Sequence, residues 1–149
     1  MSLFGKNAIF RGSIFLSVNP KPDMQLFYRE KGIDTHPPLI ILHGLWGASD
    51  NWLPVADLLS HRFHVILPDL RNHGCSPHSS LFDYTILSQD TEELIGRLNL
   101  PQRPFLAGHS LGGKTLMHLV LKRPEIVEKA AIIDICPQAY TLDLSLIHI

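Results

Sequence analysis

The sequence lacks the features that mark several protein classes. It has two cysteines, Cys75 and Cys136, which form no metal-ligand spacing and are too few for a disulfide framework, so both read as free thiols in a reducing compartment. It has no block of like charge. Thirteen Lys and Arg stand against 14 Asp and Glu, a formal net charge of −1 that leaves no footprint for nucleic acid. Its longest apolar run, around Pro38 to Leu42, stops at His43-Gly44, far short of the roughly 18 residues that cross a bilayer. Internal repeats and low-complexity linkers are absent. What remains is a small-molecule partner, no membrane span and a cytoplasmic location. A mitochondrial address rests only on Lys6, Arg11 and Lys21 preceding the first acid, Asp23, and Ile14-Phe15-Leu16 reads at least as well as a first strand.

At 45% hydrophobic and 18% charged over 149 residues, the chain has the composition and length of one globular domain. Short apolar runs alternate with helical patterns, which predicts an α/β fold with a mostly parallel sheet and helices on both faces. Phe10–Val18 and Met24–Arg29 read as early strands. Leu39–Leu42 is apolar at every position, as a strand buried on both faces must be. Ser49 is placed to cap a helix with apolar residues Trp52, Val55, Ala56, Leu58 and Leu59, and Pro54 falls in its first turn. Phe63–Leu67 is the next strand, about Asp83–Leu98 the next helix, and Phe105–Ala107 a strand running into a glycine-rich turn. A third helix from Leu111 stops near Pro124, and Ala130–Ile135 is the last clear strand.

The turn after Phe105–Ala107 is Gly108-His109-Ser110-Leu111-Gly112-Gly113-Lys114-Thr115, which fits two motifs. As G-x-x-x-x-G-K-T it is a phosphate-cradling loop, and Asp134 at the end of a later apolar strand would then help hold magnesium. As G-x-S-x-G it is a nucleophile elbow presenting Ser110. Other segments favour the elbow. An acyl-transfer serine needs a second backbone donor for its oxyanion, and His43-Gly44-Leu45-Trp46-Gly47 supplies a loop of that chemistry after a neighbouring strand. Asp69-Leu70-Arg71-Asn72-His73-Gly74-Cys75-Ser76-Pro77 adds another glycine-bearing loop at the carboxyl edge of the sheet, where open α/β sheets bind ligands. A phosphate loop also follows an early strand of its domain, and this one follows the fifth.

Together HGLWG, DLRNHGCSP, GHSLGGK and IIDICP resemble the α/β-hydrolase superfamily over about Leu39 to Pro137, and most closely its small acyl-ester hydrolases with an Asp-x-Arg-Asn-His-Gly-x-Ser loop. The resemblance implies an esterase or thioesterase that needs no cofactor. Ser110 would be the nucleophile, although its position also suits a helix N-cap. The backbone N–H groups of Leu45 and Leu111 would form the oxyanion hole, with Trp46 replacing Leu45 in a shifted register. Asp134 follows the strand where the resembling subgroup can carry its triad acid; otherwise it caps the next segment.

The superfamily order of serine, acid, histidine excludes His43 and His109 as the general base, and both read as loop-fixing residues. His148 follows Asp134 too closely and lies in the tail. His61, His64, His73 and His78 lack the spacing of a metal site. Arg71 and Asn72 brace their loop, Lys114 pairs with an acid, and Trp46 and Trp52 line an acyl pocket or belong to the core. Residues 1–141 therefore read as the N-terminal part of one hydrolase domain, with the cap, last strands and catalytic histidine missing, and 142–149 as a non-native tail. Little or no turnover is expected of this chain as it stands. A non-catalytic binder of a small molecule or partner, and a nucleotide-binding domain, are the competing classes.

Overall fold

The computed structural model describes residues 24–138. Five strands form one sheet in the order β1-β3-β2-β4-β5: β1 (Tyr28–Lys31), β2 (Pro38–Leu42), β3 (His64–Pro68), β4 (Phe105–His109) and β5 (Lys129–Ile133). All neighbouring pairs are parallel except β1 with β3. Helix α1 (Leu53–Leu59) follows a 3-10 turn at Ser49–Trp52; α2 (Tyr84–Arg97) and α3 (Leu111–Lys122) complete the fold. The alternating strands and helices expected from the sequence are present, with helices on both faces of the sheet. Among the described residues no helix is long and apolar enough to cross a membrane.

The central strands explain why β2 and β3 carry no polar alternation. Side chains of successive residues point to opposite faces, and both faces are covered. Ile40, Leu42, Ile66 and Leu106 pack with Leu87 of α2 and Leu116 and Leu119 of α3. Leu39, Ile41, Val65 and Leu67 pack with Ala56 of α1, together with Trp52, Leu53 and Phe105. Parallel register puts like beside like, Leu39 opposite Val65 and Ile40 opposite both Ile66 and Leu106. Each such buried aliphatic side chain contributes about 1.5–3 kcal/mol relative to exposure.

Several expectations shift. The strand at Phe10–Val18 lies outside the described residues. The second early strand is β1, Tyr28–Lys31, rather than Met24–Arg29, because Phe27 is spoken for: its N–H donates to Ser76 Oγ (2.9 Å) and its carbonyl accepts from Asp69 N–H (2.9 Å). Ser49 caps no helix. It opens the 3-10 turn, its Oγ accepts from Arg29 Nε (3.1 Å), and the N-cap position belongs to Ala48. Leu58, expected on the buried face of α1, is 77% exposed, since the helix is short enough to bury fully only Ala56. Asp83 does cap α2, accepting from Ile86 N–H at 2.8 Å. Among the described residues β5 pairs only with β4, and all five of its residues are exposed.

Candidate active site

The strand order creates the site. From β2 the chain crosses to β3 on one side, while β4 lies on the other, so the loops leaving β2 and β4 diverge and open a crevice beyond their carboxyl ends. The loop His43–Ala48 and the turn at Ser110 are those two loops. They touch, for a Cβ built on Gly44 would lie 3.5 Å from Ser110 Cβ.

Ser110 sits between β4 and α3 with φ 49° and ψ −108°, a backbone conformation unfavourable for a residue with a side chain. Its side chain makes no capping hydrogen bond, which removes the N-cap explanation of this serine. The turn is tight because glycines permit it: a Cβ on Gly112 would lie 2.5 Å from the Leu42 carbonyl oxygen, and one on Gly108 2.5 Å from that of Gly112. Hydrogen bonds fix it on three sides. Ser110 N–H donates to the Ile133 carbonyl (3.1 Å), Gly112 N–H to the His43 carbonyl (3.1 Å) and Lys114 N–H to the Ser110 carbonyl (3.0 Å). These donors are the ones a phosphate cradle would turn toward its ligand, so the nucleotide-binding geometry is absent. Lys114 is buried and its Nζ donates to the Gln138 carbonyl.

The N–H groups of Leu45 and Leu111 have no hydrogen-bond partner among the described residues, and neither has that of Trp46. Leu111 opens α3, where first-turn N–H groups have no helical acceptor and the helix dipole favours negative charge. Trp46, the alternative donor, has φ 64° and is 66% exposed. Asp134 closes β5 with φ 54°; its carboxylate is 84% exposed, and Oδ2 lies 3.6 Å from His109 Nε2. The structure brings Ser110, Leu111, Leu45 and Asp134 to the same edge of the sheet.

Residues 37–148 match the family model for the alpha/beta hydrolase fold. The chain belongs to that family. A candidate esterase/lipase of Haemophilus influenzae is 40% identical over 114 residues, 76% of this chain and 39% of the relative. The sn-1-specific diacylglycerol lipase ABHD11 of Mus musculus is 42% identical over 112 residues, 74% of this chain and 36% of the relative. A marine microorganism esterase of known structure superposes with a TM-score of 0.75 at 44% identity, covering 78% of this chain and 44% of the other. The chain thus spans less than half the length of the relatives it matches.

The two histidines beside the elbow behave differently. His43 fixes its loop, as expected: Nδ1 lies 2.8 Å from the Gly44 carbonyl oxygen, and Nε2 accepts Leu70 N–H at 3.0 Å. Burial pushes its pKa down to about 4. His109 makes no such local bond among the described residues; its ring meets the edge of Trp52 and faces Asp134. Trp46, Trp52, Leu45, Val55 and His109 line a cavity of about 490 Å³ beside the crevice, so both tryptophans stand at the site. Arg71 and Asn72 brace their loop, Arg71 pairing with Asp90 and Asn72 exchanging hydrogen bonds with Ser79. His64 meets Glu30 Oε1 at 3.1 Å and His73 meets the Arg71 carbonyl at 2.9 Å, while His61 and His78 are exposed. Sequence reasoning missed Asp69. It is buried, accepting Ser49 N–H and Cys75 N–H, and the available signal was an acid directly after a wholly buried strand.

Proposed function

We propose that the protein is a serine hydrolase that cleaves small carboxylic esters or thioesters through an acyl-enzyme at Ser110. The observation that carries this reading is the strained Ser110, free of any capping bond, beside the unpartnered N–H groups of Leu45 and Leu111. Ser110 Oγ attacks the acyl carbonyl carbon as its proton passes to a base, and the carbonyl oxygen becomes an oxyanion held by the two N–H groups. Collapse breaks the bond to the alcohol or thiol, which leaves with that proton. Water then adds to the acyl-enzyme and releases the acid and free Ser110. No metal or cofactor enters these steps. Asp134 orients the base, a histidine outside the described residues, since among those described no histidine hydrogen-bonds Ser110.

The test is hydrolysis of p-nitrophenyl acetate and butyrate by the full chain and by Ser110→Ala. A drop to the uncatalysed rate in Ser110→Ala supports the reading, and an unchanged rate removes Ser110 from the chemistry.

A further inference from the structure

The Asp69–Pro77 loop carries much of the family resemblance, yet none of its residues takes part in the proposed chemistry. Its first two residues hold opposite ends of the loop that carries the oxyanion donor. Leu70 N–H donates to His43 Nε2 at 3.0 Å, and Asp69 Oδ1 accepts Ser49 N–H at 2.5 Å. His43, Ser49, Asp69 and Leu70 are all buried, which makes these bonds stronger and their loss costlier than at the surface.

The His43 end acts on a single peptide plane. Because Nε2 accepts from Leu70, the ring proton resides on Nδ1, which donates to the Gly44 carbonyl at 2.8 Å. Gly47 N–H donates to the same oxygen at 3.0 Å. The Gly44 carbonyl and the Leu45 N–H belong to one planar trans peptide, so fixing the oxygen fixes the N–H in the opposite direction. Asp69 is itself held, accepting Cys75 N–H on Oδ2 (2.8 Å) and, on its backbone carbonyl, Ser76 Oγ–H (2.6 Å). Gly74, at φ 52°, passes so close that any Cβ would collide with the Asp69 carboxylate.

We propose that Leu70 and Asp69, acting through His43 and Ser49, lock the Gly44–Leu45 peptide with its N–H toward the crevice, and that His43 is a positioning residue for the oxyanion. The proposal rests on the serine hydrolase reading for its catalytic consequence, but the lock itself is a property of the loop.

Position 49 offers a clean separation. Ala48 is extended, at φ −149° and ψ 175°, which suits a residue before proline, and Ser49 opens a 3-10 turn, where proline is tolerated. Ser49→Pro deletes the N–H that Asp69 accepts, whereas Ser49→Ala deletes only the hydroxyl. The probe is a butyl trifluoromethyl ketone, which adds to a serine hydroxyl as a tetrahedral species, compared with the butyl methyl ketone, which does not. Binding is read from the emission of the two tryptophans, both of which line the cavity.

Trifluoromethyl ketone affinity is expected to fall at least tenfold in His43→Phe and in Ser49→Pro, and to stay within twofold in Ser49→Ala. Methyl ketone affinity stays within twofold throughout. Amide exchange across residues 44–48 is expected to accelerate in the first two proteins, with α3 unchanged. Equal behaviour of Ser49→Pro and Ser49→Ala, or unchanged exchange in a folded His43→Phe, overturns the proposal. If His43→Phe does not fold, the Ser49 pair decides alone. Faster loop exchange in Ser49→Pro, alongside ester hydrolysis that survives Ser110→Ala, would keep the lock and remove the hydrolase reading.

Discussion

Arg71 and Asp90 form an ion pair in the interior, with Nη2 2.6 Å from Oδ1 and side chains only 2% and 0% exposed. The same guanidinium donates to the Leu81 carbonyl through Nη1 at 2.8 Å, so one side chain joins α2 to both flanks of the Asp69–Pro77 loop. Removing one partner strands the other charge without water. Arg71→Met is expected to destabilise the fold by about 3–5 kcal/mol, and Arg71→Met with Asp90→Leu to recover a large part of it. Urea unfolding of the single and double variants measures both. A double variant no more stable than the single would show that the bond to Leu81, rather than the ion pair, dominates.

Gly112 is where α3 lies against the end of β2. A Cβ there would be 2.5 Å from the Leu42 carbonyl oxygen and 2.7 Å from its Cβ, and neither can swing away. Gly112→Ala is expected to cost about 1–3 kcal/mol in thermal unfolding, because the elbow must lift off the sheet. Gly96, inside α2, is the control, since a methyl group added there would meet nothing within 4 Å. Gly96→Ala should leave stability equal or raised.

Ser110 carries strain that glycine would relieve. At φ 49° and ψ −108°, Ser110→Gly is expected to raise stability by about 1–2 kcal/mol while abolishing ester hydrolysis. Chemical denaturation beside a p-nitrophenyl butyrate assay reads both effects. A destabilised glycine variant would mean that the side chain supports the turn.

Acid should weaken the fold through the histidines. Burial lowers His43 from its ordinary 6.5 to about 4, and lowers His73, whose ring centroid is 5.0 Å from that of His43. Between those values the unfolded chain takes up a proton that folded His43 refuses. Stability is therefore full above pH 6.5 and declines as the pH falls toward 4, by about 3 kcal/mol from His43 if the shift is fully expressed. Urea midpoints from about pH 7 to about pH 4 measure the slope, and in His43→Phe the decline should be smaller.

Local chemistry explains what was legible. The uninterrupted apolar run of β2, the Asp83 cap of α2 and the glycines around Ser110 each act within a few residues, so their consequences can be read along the chain. The misreadings share a cause. Ser49 looks like a helix cap because Ser is favoured there, but its hydroxyl accepts from Arg29, 20 positions back, and it opens a 3-10 turn. Lys114 suggests a phosphate ligand, and its Nζ meets the Gln138 carbonyl, 24 positions on. His109 resembles His43 in sequence context, beside a glycine at a strand end, yet only His43 has a backbone donor, from Leu70, packed against its ring.

The sequence by itself determined the α/β alternation, the buried character of the central strands and a tight glycine-rich turn around Ser110, because hydrophobic period and glycine placement are properties of neighbouring residues. Only the tertiary structure decided between the two motifs, by using the turn's own N–H groups to hold His43, Ile133 and Ser110 carbonyls and leaving those of Leu45 and Leu111 unpartnered. That choice depends on strand order. With β2 between β3 and β4, the loops that leave these three strands meet at one edge, and no local pattern encodes which strands become neighbours.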